Sequence, residues 1–311
     1  MHALAALGAT LELPTVALPL GRLPPTVREA QSAGRPATVI QPSTGAPWPS
    51  LVFASGATPE GRTHPTVLRL GLALARAGYM ISIPELPGVA GGVLTPATLD
   101  AAIRSTTEIA DQRQSLHGRV GLVGVSVGGT LALLVAAQPQ LAARISIVSC
   151  IAPFTDLKRV MLLATTGMYR DDGGGLRPYP VPAELAAGLA RSIEEIGAAD
   201  ARATHELLAN TDPSRFDDLY DALPATVHES VKALSPRHVV DRILAPVEIA
   251  TAPRDRYFPV DEPLAIATSP RVRVTVTPTL AHAVPRLSGR NVVGAVRLEL
   301  FFARTLSSAA A

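Results

Sequence analysis

Short apolar runs alternate along the chain with longer segments whose apolar residues recur every three or four positions. After an irregular, Pro-rich start, Ala37–Gln41 reads as a short strand, Pro42–Pro49 as a turn, and Ser50–Ala54 (SLVFA) as a compact buried strand. Thr66–Ala77 has helical spacing, with Leu68, Leu72 and Ala75 on one face and Gly78 just past its end. Tyr79–Ile83 is the next strand. A second helix opens with Thr95 as N-cap and Pro96 at its first position, where the missing N–H costs nothing and φ is already set. Its face is Leu99, Ile103, Thr106 and Ala110, and Gly118 follows its end. Strand Val120–Val123, helix Gly128–Gln138 and strand Ile145–Ser149 come next. Strands alternating with helices imply βα units on a largely parallel sheet, buried on both faces.

From Phe154 to about Leu244 the rhythm changes. The run Gly173–Gly175 and Pro178, Pro180 and Pro182 mark a flexible stretch, and Ala183–Ile196 then carries Leu185, Leu189, Ile193 and Ile196 on one helical face. Strand signals return at Pro246–Thr251 and Val272–Thr277, before a final helix near Val292–Arg304. The expected organisation is an α/β core of residues 1–153 and 245–311, interrupted by a helical cap, or lid, over 154–244.

Composition narrows the function classes. At 311 residues, an allowance of about 150 residues per domain gives one large domain or two ordinary ones. Apolar residues at 47% and charged residues at 17% describe a folded chain with a sizeable core, in no need of a metal or disulfide staple. The net charge of +2, with no basic block or stripe, argues against nucleic acid as a partner. Cys150 stands alone, so neither an intramolecular disulfide nor a Cys-based zinc site can form. Met1–Leu11 is apolar but is stopped by Glu12 and Pro14, short of the ~18 residues of a membrane span. It also lacks the positive flank and cleavage site of a signal peptide, so a soluble cytoplasmic protein is expected.

The chemistry concentrates at Gly124-Val125-Ser126-Val127-Gly128, which follows a buried strand and opens a helix. Gly-x-Ser-x-Gly in that setting is the pattern of a nucleophile elbow. The serine occupies a strained strand-to-helix turn, and side chains at the flanking positions would strike neighbouring backbone. The helix N-terminus also favours negative charge developing at the site. A bland glycine-rich βα turn is the competing reading of the five residues alone. Phosphate binding fails on inspection: Gly128-Gly129-Thr130 lacks the lysine of a Walker loop, and Gly-x-Gly-x-x-Gly is absent.

With these residues in place, the chain from about Ala37 to its C-terminus resembles the α/β-hydrolase superfamily. The resemblance implies an α/β fold, with a mostly parallel central sheet, helices on both faces and a helical cap inserted before the strand that carries the acid. It further implies the order serine, acid, histidine. Asp255 follows the strand ending at Thr251, in Ala252-Pro253-Arg254-Asp255-Arg256-Tyr257-Phe258-Pro259. His282 follows the strand ending at Thr277, in Pro278-Thr279-Leu280-Ala281-His282-Ala283. In this reading Ser126 is the nucleophile, His282 takes its proton, and Asp255 fixes the imidazole tautomer. Their competing roles are a loop histidine satisfied by backbone and a surface ion pair of Asp255 with Arg254 or Arg256. Asp156 is the reserve acid. The oxyanion hole is expected from the backbone N–H groups of Val127 and of Ala57, in the loop Ser55-Gly56-Ala57, where the family usually has His-Gly in place of Ser55-Gly56.

Other candidates have plainer roles. His205, His228 and His238 lack metal-ligand spacing, Glu194-Glu195 reads as a solvated helix face, and Cys150 ends an apolar strand as a buried thiol. Val160–Ala164 reads as packing within the cap, with an acyl pocket as the alternative. The expectation is a serine hydrolase that forms an acyl-enzyme on a small, largely uncharged carboxylic ester, using no cofactor and no metal. The alternatives are a peptidase or amidase, a C–C-bond hydrolase of the same fold, or a non-catalytic binding protein that retains it.

Overall fold

The structure is a computed structural model that describes residues 24–197, 200–285 and 292–310. The apolar segment Met1–Leu11 lies outside them. Two strands, β1 (Thr26–Ser32) and β2 (Arg35–Gln41), form a hairpin, followed by β3 (Trp48–Ala54) and helix α1 (Pro65–Arg76). Then come β4 (Met80–Pro84), α2 (Pro96–Asp111), β5 (Ser115–Val125), α3 (Val127–Ala136) and β6 (Ile145–Ile151). Between β6 and the next strand of the main sheet lie α4 (Leu157–Thr166), a small hairpin of β7 (Met168–Arg170) and β8 (Leu176–Pro178), and helices α5 (Ala183–Ile196), α6 (Ala201–Leu208), α7 (Phe216–Asp221) and α8 (Ala225–Ala233). The chain closes with β9 (Val247–Thr251), α9 (Asp261–Leu264), β10 (Val272–Val276), a short pair β11 (Leu280–Ala281) and β12 (Val284–Pro285), and α10 (Val292–Ala310).

Among the described residues the main sheet runs β1-β2-β4-β3-β5-β6-β9-β10. From β4 to β10 every pairing is parallel, and β2 and β1 add antiparallel at one edge. β4, β6 and β9 are buried along their whole length, as a parallel strand covered on both faces must be. Two apolar clusters lie on the two faces. One joins α2 and α3 to α4–α8 through Leu131, Leu133, Leu162, Leu189, Leu207 and Val231. The other seats α1 and α10 on the sheet through Leu70, Leu74, Leu298 and Phe301.

Local chemistry accounts for the helix starts. Thr95 and Thr98 form a reciprocal capping box ahead of Pro96. α3 is buried on every side, which matches its lack of any charged residue. The stripe Leu189 and Ile193 of α5 is buried while Glu194 and Glu195 are exposed.

Several sequence expectations shift. α1 buries Leu70, Leu74 and Ala75, whereas Leu68 and Leu72 are half-buried. Leucine at every second position from 68 to 74 offers two possible stripes, and packing against Ile40 and Ile83 beside Gly71 selects one. Gly118 lies inside β5 with φ 63°, because α2 ends at Asp111 and the strand begins earlier than its apolar run. β1 carries no core signal, being exposed along most of its length at the sheet edge.

Candidate active site

β5 ends at Val125, and the chain turns sharply at Ser126 (φ 55°, ψ −124°) into α3. This is a costly backbone conformation for a residue with a side chain. It is held by Ser126 N–H donating to the Ile151 carbonyl of β6 at 2.8 Å and by Thr130 N–H donating to the Ser126 carbonyl at 3.1 Å. The flanking glycines are sterically required. A Cβ at Gly124 would lie 2.2 Å from the Gly128 carbonyl oxygen, and one at Gly128 would lie 2.2 Å from the Ala54 oxygen. The loop after β3 crosses the same spot: a Cβ at Gly56 would come within 3.6 Å of Ser126 Cβ and 3.3 Å of the Val125 oxygen. Ser55-Gly56-Ala57 therefore borders the serine, and Val127 is the first residue of α3.

Asp255 follows β9, and its carboxylate is fully buried. It accepts from the backbone N–H groups of Tyr257 (2.8 Å) and Phe258 (3.2 Å). His282 follows β10, with φ 55°. Its Nδ1 lies 2.9 and 3.0 Å from the two Asp255 oxygens. With Nδ1–H donating to the carboxylate, Nε2 keeps a lone pair and can accept a proton. The loop position leaves His282 12% exposed at its side chain, flanked by the rings of Tyr257 and Phe258. Ser126, Asp255 and His282 thus all follow the carboxyl ends of strands in the parallel part of the sheet. Chemically, the pair 255–282 is an oriented base, and residue 126 is a hydroxyl at a helix N-terminus.

Over most of the chain, residues 51–295, the sequence matches the family described as the alpha/beta hydrolase family. The chain belongs to that family. Among solved structures the chain is similar to a Pyrobaculum calidifontis esterase (17% identity, all of this chain and 92% of that one, TM-score 0.59). It is also similar to esterase B from Lactobacillus Rhamnosis (13% identity, 98% and 96% covered, TM-score 0.59). A third likeness is to Pyrococcus horikoshii acylaminoacyl peptidase (16% identity, TM-score 0.54), in which 90% of this chain spans 40% of the peptidase. At these identities the likeness is one of fold. No curated protein matches the chain by sequence.

The remaining candidate residues fall elsewhere. Arg254 and Arg256 do not hold Asp255; Arg256 pairs instead with Glu184 at 3.5 Å. Asp156 caps α4, accepting from Arg159 N–H, and pairs with Arg237 at 2.7 Å. His205 and His238 are exposed, and His228 packs edge-on to Tyr220. Among the described residues no group of three His, Cys, Asp or Glu side chains could hold a metal ion. No helix among them is long and apolar enough to cross a membrane. Cys150 is buried, and desolvation pushes its thiol far above the ordinary range. Val160, Met161 and Leu162 pack into the core cluster, and Leu163 is buried beside them in sequence.

Three groups escape sequence reasoning. Tyr179, just after β8, donates to the backbone carbonyl of Asp255. Burial, then the Asp255 charge, pushes the pKa of its phenol above the ordinary range. Tyr257 packs on His282. Glu262 in α9 is fully buried and accepts from Thr155 N–H (2.7 Å), Asp156 N–H (2.9 Å) and Tyr169 O–H (3.1 Å). Burial raises its carboxyl above 4.5. No local pattern marks any of them, since each partner lies 76 to 107 residues away or on another loop.

Proposed function

We propose that this α/β hydrolase is a serine esterase acting through an acyl-enzyme on small, largely uncharged carboxylic esters. The observation that carries the reading is the buried Asp255 carboxylate on Nδ1 of His282, at the same sheet edge as the strained Ser126. Ser126 attacks the carbonyl carbon while Nε2 of His282 takes its proton. The alkoxide leaves with that proton, and water, deprotonated by the same imidazole, releases the acid. The N–H groups of Val127 and Ala57 bind the oxyanion, a role favoured by the helix start at Val127 and by the contact of the Gly56 loop with Ser126. Residues 154–244 serve as a helical cap over the site; Tyr179 and Glu184 from that segment touch the loop of Asp255. The ester preference draws on the low charge of the chain and on the two esterases to which its fold is similar over nearly their full length.

A fluorophosphonate probe tests the nucleophile. Adduct on Ser126 in the folded protein, abolished in Ser126→Ala, is the expected result; labelling that survives the substitution sinks it. A panel of p-nitrophenyl esters of graded acyl length beside the matching anilides tests the substrate. Esters are expected to turn over faster by a wide margin, and faster anilide cleavage would replace the esterase reading with an amidase.

A further inference from the structure

Tyr257 joins His282 to the helix that follows the β7–β8 hairpin. Its ring centroid lies 4.4 Å from that of the imidazole, with the planes inclined by 47°. Its hydroxyl donates to Glu184 Oε1 at 2.8 Å, in the first turn of α5, and accepts from the Arg256 guanidinium. Arg256 in turn sits 4.6 Å from the Tyr257 centroid and 3.5 Å from Glu184. One aromatic side chain therefore contacts the imidazole at its ring and α5 at its hydroxyl.

The electrostatic consequence follows from the chemistry proposed above, on which this inference rests. An aromatic face attracts a cation within about 6 Å of its centroid. The imidazole becomes a cation only when it takes the serine proton. The phenol donates to the Glu184 carboxylate, which makes the ring more electron-rich, and the opposing charge of Arg256 on the same hydroxyl and ring is offset by its own pairing with Glu184. The other groups around His282 are the Asp255 carboxylate on Nδ1 and the apolar Phe258 ring at 6.1 Å. Further out, Tyr179 holds the Asp255 carbonyl, and Arg177 pairs with Asp261. We propose that Tyr257 is a positioning residue for His282: its ring, oriented by Glu184, stabilises the imidazolium as it forms, so that the seating of α5 on the acid loop reaches the reacting histidine. The clasp persists through the histidine range. Glu184 is held below 4.5 by its own backbone N–H and by the Tyr257 hydroxyl, and burial holds the Tyr257 phenol above 10.0.

The test is an NMR titration of the His282 ring in the full chain, with pH profiles of kcat and KM on p-nitrophenyl acetate, for Tyr257→Leu, Tyr257→Phe and Glu184→Gln. Leucine keeps the bulk and dryness but removes the π face. It is expected to lower the His282 midpoint by about half a pH unit and kcat by roughly two- to fivefold, with KM within about twofold. Phenylalanine keeps the ring and loses its hydroxyl bond, Glu184→Gln keeps an acceptor for that hydroxyl and loses the carboxylate charge, and both are expected to shift the midpoint in the same direction by less. A folded Tyr257→Leu protein whose His282 midpoint matches the parent overturns the proposal. Should that variant not fold, unchanged midpoints in both of the other two overturn it equally. The NMR midpoint does not depend on turnover. Failure of Ser126 to take the fluorophosphonate therefore removes the esterase reading without deciding the Tyr257 contact.

Discussion

Gly128 shows how much of the elbow is set by single residues. Its missing side chain is replaced by the carbonyls of Ala54 and Ser55, which a Cβ would meet at 2.2 and 2.4 Å. Ala54 is paired with Gly124 in the register of β3 on β5, so its carbonyl cannot move without disturbing that pairing. Gly34, at φ 75° in the β1–β2 turn, has open space around it. Alanine at 128 is expected to cost ~3 kcal/mol through overpacking, and alanine at 34 only the ~1–2 kcal/mol of a left-handed residue. Urea midpoints for the two variants check this, and a costlier Gly34→Ala would contradict the steric account. At this scale the sequence is highly legible: the glycine spacing around Ser126 expresses a clash that any strand-to-helix turn of this kind contains. Tyr257 and Glu262 are not legible, because a tyrosine beside an acid and a glutamate in a four-residue helix are ordinary until their distant partners are known.

Between elements, Glu262 ties α9, which follows the Asp255 loop, to the backbone that leaves β6. Its pKa is raised by burial, so the folded protein holds this proton at pH values where the unfolded chain has released it. The stability associated with the neutral form is therefore complete below about pH 4.5 and is lost as pH rises through the higher folded value. Glu262→Gln keeps an acceptor for the two N–H groups and cannot ionise. The substitution is expected to become progressively more stabilising, relative to the parent, as pH climbs above 4.5. Parallel urea titrations from pH 4 to 8 read the difference, and a pH-independent gap would refute it. The elements themselves were mostly visible in the apolar period. β1 was not, because an exposed edge strand has no core face to write in apolar residues, and β7 and β8 are three residues each, too short for any period.

Across the whole molecule, one apolar cluster runs without interruption from α3 at the elbow to α5–α8. Leu131 and Leu133 belong to the same packed set as Ile193, Phe216, Val227 and Val231. Such continuity predicts that the helices between β6 and β9 and the sheet unfold together. Hydrogen exchange in increasing urea should deprotect α8 and β3 peptides at the same concentration, and earlier loss in α8 would make the two independent. The sequence by itself determined the alternation of strands and helices, the capped start of α2 and the strained turn at Ser126, because each depends on spacing or sterics within a few residues. It also placed Asp255 and His282 after successive strands. Tertiary structure alone decided which face α1 buries, that the Asp255 carboxylate meets His282 and not its neighbouring arginines, and that Tyr257 bridges the imidazole to Glu184. Those outcomes depend on desolvation and charge pairing between segments brought together by sheet order, and no local pattern encodes which distant group will remain when water is excluded.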